Sequence, residues 1–145
     1  MKIQRFTVIA LTCLSLLLTT LNAMAQVYPV IAYAQVTGQQ QGNFTGSSRT
    51  PGFEGQIALL QVNVAVPTSG ISKYVDASDP QFKTALSNNE TLTIVIQMVK
   101  NKPGQVVPKA YKTYTLKNVH VQAIDPLGAI QLINFSVGDF VTNNN

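Results

Sequence analysis

The sequence predicts a mainly β fold, a small antiparallel β-barrel or sandwich that carries one short α-helix. Three observations lead there. Apolar and polar residues alternate through most of the chain beyond residue 27, turn signals recur at short spacing, and one segment alone exchanges the alternation for a helical pattern. Six or so short strands of this kind bury their apolar faces by closing on one another.

The N-terminus is set aside first. Lys2 and Arg5 precede the apolar run "TVIALTCLSLLLTTL", and Ala23 and Ala25 occupy the small-residue positions of an A-x-A cleavage site. This order is that of a secretory signal peptide over residues 1–25, cleaved after Ala25, and the run is short for a transmembrane helix. Cys13 lies inside the run behind Thr12, whereas a lipidated cysteine would end it. The mature chain, residues 26–145, then has no cysteine; it enters an oxidising compartment, periplasmic or extracellular, and depends on packing or self-assembly for its stability.

That remainder suits a single domain. Past Ala25 eight basic residues face six acidic ones, a net charge of +2. With no basic patch with interleaved aromatics in the sequence, nucleic acid is not an expected partner. No membrane association is expected once the signal peptide is cleaved. A surface rich in Gln, Asn, Thr and Ser repels its own copies weakly, so association is not penalised.

The elements follow in order. "YPVIAYAQV" reads as a first strand, and "TGQQQGNFTGSSRTPG", Thr37 to Gly52, as a polar loop that is either a mobile insertion or a segment ordered by a partner. In "GQIALLQVNVAV" the residues Ala58, Leu60, Val62, Val64 and Val66 share one face of a second strand. A turn at Pro67–Gly70 leads to the extended "ISKYV". "ETLTIVIQMV" places Leu92, Ile94, Ile96 and Met98 together, and "NKPG" offers Pro103 and Gly104 as the centre of a type II turn. "YKTYTLKNVHVQAI" changes phase between Leu116 and Val119, which implies a bulge near Lys117–Asn118. "DPLG" makes a further turn around Pro126, "AIQLINFSV" is apolar on both faces, and "DFVTNN" reads as a frayed end.

"YVDASDPQFKTAL" is the helical segment. Pro80 disfavours a helical conformation at Asp79, so Asp79 is expected as N-cap with Pro80 as the first helical residue. Phe82, Ala85 and Leu86 form one apolar stripe, and Asn88 or Asn89 ends the helix, since asparagine tolerates the left-handed conformation. So short a helix persists only when docked on the sheet.

Signs of catalysis are sparse. His120, the one histidine, lies mid-strand without neighbouring metal ligands, and no G-x-S-x-G surrounds a serine. Asp76 and Asp79 lack the ligand run of a calcium loop, and the glycines between Gly38 and Gly55 precede no G-K-[ST]. No cofactor, metal or catalytic residue is assigned, and the protein is not expected to be an enzyme.

The order of parts resembles a known family. "ISKYVDASDPQFKTALSNNETL" is similar to the centre of the haemolysin-coregulated protein (Hcp) family, the tube subunits of bacterial type VI secretion, with Tyr74, Val75, Asp76, Ser78, Asp79 and Pro80 at the matching positions. "YKTYTLKNVHVQAI", "IQLINFSVGDFV" and "TGSSRTPGFEGQIAL" resemble further family segments. The resemblance implies a small barrel with one helix on its side, hexameric rings that stack into a tube, and an extended loop at the stacking contact. On this chain that loop is residues 37–52, with Gln40, Asn43, Phe44, Arg49 and Phe53 as assembly candidates. Type VI tube subunits assemble in the cytoplasm without a signal peptide. The combined expectation is therefore an exported Hcp-like structural subunit that forms rings, tubes or filaments in the periplasm or outside the cell, with other secretion or envelope proteins as further partners. The alternatives are a monomeric secreted binding module that uses the 37–52 loop with Tyr28, Tyr33, Phe44 and Phe53, and a type VI tube protein or effector carrier.

Overall fold

Residues 29–145 are described by a computed structural model; the expected signal peptide, its cleavage site and Tyr28 lie outside them. Strands form where the alternation was strongest: β1 Ala32–Gly38, β2 Gly42–Asn43, β3 Ile57–Asn63, β4 Thr68–Tyr74, then helix α1 Asp79–Ser87, β5 Leu92–Lys100, β6 Lys109–Leu127 and β7 Ile130–Asn144. Neighbours run β2-β1-β3-β4-β7-β6-β5, and β1 pairs with β5 as well. That last pairing closes six antiparallel strands into a barrel, with the two-residue β2 appended to β1. Closure uses both edges of β1, so that β5 at the end of the strand order is paired on both sides and the sheet avoids the usual hazard of an open edge there.

The barrel is filled by Ile57, Leu59, Ile71, Leu92, Ile94, Ile96, Leu116, Val119, Ile133 and Phe135, together with Phe82 and Ala85 from the helix. Four bulges set which side chains reach it. Lys117–Asn118 is one, as the phase change predicted: Leu92 faces Val119 while Ile94 faces Leu116, and Asn118 stands at φ +51°. Gly138 accommodates it, because a Cβ there would lie 2.9 Å from that of Asn118. The bulge between Leu59 and Gln61 was not expected, and it corrects the face assigned to the second strand. Before it Ile57 and Leu59 point inward; after it Val62 and Val64 do, while Val66 is exposed. A third falls between Val121 and Ala123, and a fourth at Tyr111, since Met98 faces Lys112 while Val99 faces Ala110.

Two further expectations change. The β6–β7 turn is Gly128–Ala129 rather than a turn around Pro126, with Gly128 at φ +67°. Pro126 instead sits in β6 opposite Gln131; β5 pairs with β6 only as far as Val119, so this edge is free and a missing N–H costs no ladder bond. The polar C-terminal segment is paired too, from Asp139 opposite Lys117 to Asn144 opposite Lys112, because β6 runs on and supplies a partner. The "NKPG" turn forms as expected, Gln105 N–H donating to the Lys102 carbonyl at 3.0 Å with Gly104 at φ +83°.

At the helix, Ser78 and not Asp79 is the N-cap residue, and Pro80 is the second helical residue rather than the first. Neither Ser78 nor Asp79 caps with its side chain: the Ser78 hydroxyl donates to Asp76 at 2.5 Å, and the Asp79 carboxylate is engaged by Lys73. Proline is still tolerated at that position, since its missing N–H would be an orphan donor anyway. The other end closes as a Schellman turn. Asn89 takes the left-handed conformation at φ +47°, Asn89 N–H donates to Leu86 at 3.3 Å, and Glu90 N–H donates to Ala85 at 2.9 Å. Phe82 and Ala85 are buried, with Phe82 edge-on to Phe44 at 5.1 Å, but Leu86 is 37% exposed and lies outside the core stripe. Phe82→Ala should therefore lower unfolding free energy by about 3–5 kcal/mol, against under about 1 kcal/mol for Leu86→Ala; denaturant melts of the two variants check this.

Candidate functional site

The segment from Thr37 to Gln56 is ordered by the chain's own residues. β1 runs into a tight hairpin at Gln39–Gln41, and Thr37 Oγ1 donates to Asn43 Oδ1 at 2.8 Å. Under that hairpin lies Glu90, buried directly after the Schellman turn. One carboxylate oxygen accepts from the backbone N–H of Gln40 at 2.6 Å and of Gln41 at 2.8 Å; the other accepts from Gln41 Nε2 at 2.6 Å. Gly38 is required here, since any Cβ would collide with the Glu90 carboxylate. The helix adds Gln81, which accepts from Thr45 N–H at 2.8 Å and donates to the Asn43 carbonyl at 3.4 Å.

Further along, Ala77 N–H donates to Ser47 Oγ at 3.1 Å. Phe53 stacks on Tyr33 at 4.3 Å, and the Tyr33 hydroxyl donates to Thr50 at 2.8 Å. With Val99 these two rings form a second apolar cluster on the outer wall of the barrel. The loop is thus a rigid extension whose backbone is pinned at several points.

Burial alone would push the Glu90 carboxyl up. The Gln41 side-chain amide and the backbone N–H groups of Gln41 and Gln40 outweigh it and hold the carboxyl below its ordinary 4.5.

The helix is fixed from its other end by Lys73. This side chain has no solvent exposure, and its ammonium donates to the Tyr74 carbonyl at 2.8 Å, to Asp76 at 2.7 Å and to Asp79 at 2.5 Å. All three N–H bonds have acceptors, which a buried ammonium requires. Sequence reasoning missed both Lys73 and Glu90. Lys73 had a signal: it shares strand parity with Ile71, so it had to point inward. Glu90 had none, because its partners lie about fifty residues away.

The residues expected at an assembly surface divide accordingly. Gln40, Asn43 and Arg49 are exposed on the loop, whereas Phe44 and Phe53 are buried. Burial of Phe44 against Phe82 and of Phe53 against Tyr33 is the reason. The aromatics considered for ligand contact, Tyr33, Phe44 and Phe53, are therefore wall and core. His120 Nδ1 donates to the Asn89 carbonyl at 3.2 Å and so supports the helix end. Among the described residues, no group of three or more His, Cys, Asp or Glu is arranged to hold a metal ion. A groove of about 670 Å³ runs along β3, β4 and β7, lined by Gln61, Ser72, Gln122, Leu132 and Asn134 among others; none of its lining residues is an acid or a base.

Residues 62–137 match the family model described as Type VI secretion system effector, Hcp. The chain belongs to the Hcp family. The match spans β4, α1, β5, β6 and the first half of β7, hence Lys73, Asp76, Asp79 and Glu90, and excludes the 37–52 loop. Solved Hcp structures share the fold. A double mutant of Hcp1 from the E. coli EAEC 042 pathovar is 14% identical with a TM-score of 0.66, over 80% of this chain and 99% of that one. The secreted protein Hcp3 from Pseudomonas aeruginosa is 20% identical with a TM-score of 0.65, over 78% and 98%. Hcp1 from Salmonella typhimurium is 15% identical with a TM-score of 0.65, over 79% and 86%. No curated protein sequence matches the chain.

In this Hcp barrel the Glu90 clamp should show in acid. Its folded carboxyl titrates below the unfolded one, so its stabilisation is complete above the ordinary 4.5 and is lost as pH falls through the lowered value. Glu90→Gln should lower the melting temperature at neutral pH and flatten the acid limb of the melting-temperature profile; an acid limb as steep as in the parent would contradict the assignment.

Proposed function

We propose that this Hcp-family chain is an exported structural subunit of rings, tubes or filaments, with residues 1–25 as its signal peptide and residues 26–145 as the single mature domain. The observation that carries this is the pinned loop. A binding segment held by Glu90, Gln81 and Tyr33 meets its partner without first being ordered, so little conformational entropy is lost on association. Gln40, Asn43 and Arg49 are the side chains it presents, and a second copy of the chain is the partner that the family membership favours. The subunit acts through contacts rather than chemistry and takes no cofactor. The compartment is periplasmic or extracellular, and secretion or envelope proteins are further partners.

The family match favours one other role, a type VI tube protein or effector carrier that keeps its N-terminus. Intact mass separates the two: a chain beginning at Gln26 supports export by signal cleavage, and a chain beginning at Met1 supports the tube role. Light scattering on the same sample tests assembly. Particles of several subunits are expected, and a monomer at high concentration would overturn the proposal. Arg49→Glu combined with Gln40→Ala should weaken assembly roughly tenfold or more without lowering the melting temperature.

A further inference from the structure

Five of the seven lysines beyond residue 28 lie on one hairpin: Lys100, Lys102, Lys109, Lys112 and Lys117 on β5, β6 and the turn between them. No acidic residue occurs from Thr91 to Ile124. The neighbouring strands add little negative charge, since β1 has no carboxylate and β7 brings only Asp139, opposite Lys117. Lys100 and Lys109 face each other directly across the ladder, a like-charge pair that ordinarily destabilises a sheet. Among the described residues none of the five forms an ion pair. Lys100 leans over the Tyr111 ring at 4.5 Å and Lys112 over Tyr114 at 4.7 Å instead.

Beyond the lysines the turn presents apolar surface. Val106 is 86% exposed, Val107 45%, and Tyr111, on the strand behind them, 36%. Two exposed aliphatic side chains in one turn, flanked by four unpaired cations and a tyrosine, match a surface that is apolar inside and anionic at its boundary. A bilayer of anionic phospholipid is such a surface. A nucleic acid would engage the lysines but offers nothing to Val106 and Val107.

We propose that the β5–β6 hairpin docks the protein on an anionic lipid surface. Lys100, Lys102, Lys109 and Lys112 meet lipid phosphates, Val106 and Val107 enter the boundary between headgroups and acyl chains, and Tyr111 lies at headgroup level. The net charge of +2 past Ala25 averages over a chain that segregates its charges, and the absence of a membrane contact expected after signal cleavage is revised here. This site adjoins the end of the 37–52 loop, where a Cβ on Gly52 would lie 3.8 Å from Val107 and Gly52 N–H donates to the Glu54 carboxylate, the nearest negative charge from that side.

Co-sedimentation tests it, using the protein with the N-terminus it carries when recovered, on phosphatidylcholine vesicles and on mixed phosphatidylcholine–phosphatidylglycerol vesicles. Binding to the mixed vesicles alone is expected, with release when salt shortens the screening length to about 3 Å. Each Lys→Gln change among the four should weaken binding roughly fivefold. Val106→Ser with Val107→Ser should weaken it roughly tenfold or more. Parallel melts check that each variant is folded, and Val106→Ser alone serves if the pair is not. No binding to mixed vesicles, or binding that neither set of variants alters, overturns the proposal. So does equal affinity for duplex DNA that ignores Val106 and Val107, which would make the hairpin a nucleic-acid contact. A change in particle size by light scattering with vesicle binding intact would make it a subunit contact, and also overturns the proposal.

Discussion

A buried ammonium must find three acceptors or lose its charge, and Lys73 finds them all within six residues of its own position. That demand shapes the junction between β4 and α1. It draws Asp76 back toward the strand, removes Asp79 from capping, and starts the helix where Phe82 meets the core. Replacing a buried ion pair by apolar groups is often neutral for stability, whereas deleting one partner is costly. The value of this cluster is better seen in placement: it determines where the helix begins, and therefore where it ends.

The helix end is what aims Glu90. With Asn89 in the left-handed conformation, the chain reverses and puts the next carboxylate beneath the β1–β2 hairpin. Gly38 leaves room for it, and Gln81 reaches the same loop from the helix surface. An exposed polar segment thus inherits the rigidity of the barrel through two charged side chains that never reach the surface. The family model covers both of those residues but not the loop they hold, so the support and the presented surface belong to different stretches of the chain.

Local chemistry was legible in the sequence. The proline turn at Lys102–Gln105, the left-handed Asn89 and the bulge at Lys117–Asn118 each rest on residues a few positions apart, and each formed as expected. Long-range matters were not. The Leu60 bulge depends on how β3 meets β4, closure depends on β1 finding β5, and the asparagine-rich end is a strand only because β6 extends beside it. The candidate surface divided in the same way. Gln40, Asn43 and Arg49 follow from polarity, while the burial of Phe44 and Phe53 follows from where Phe82 and Tyr33 lie. The five lysines interleaved with Tyr111 and Tyr114 were not legible as a basic patch in the sequence; it took the β5–β6 pairing to bring them together and the turn to leave Val106 and Val107 exposed beside them.

The loop depends on the buried lysine, and native-state hydrogen exchange at the Gln40 and Gln41 amides measures that dependence. In the parent chain both amides donate to buried Glu90 and should exchange as slowly as the strands of the barrel. In Lys73→Met these two amides should lose protection together with the helix, while Ala34 and Ile96 in the β1–β5 ladder keep theirs. Unchanged protection of Gln40 and Gln41 beside a frayed helix would contradict it.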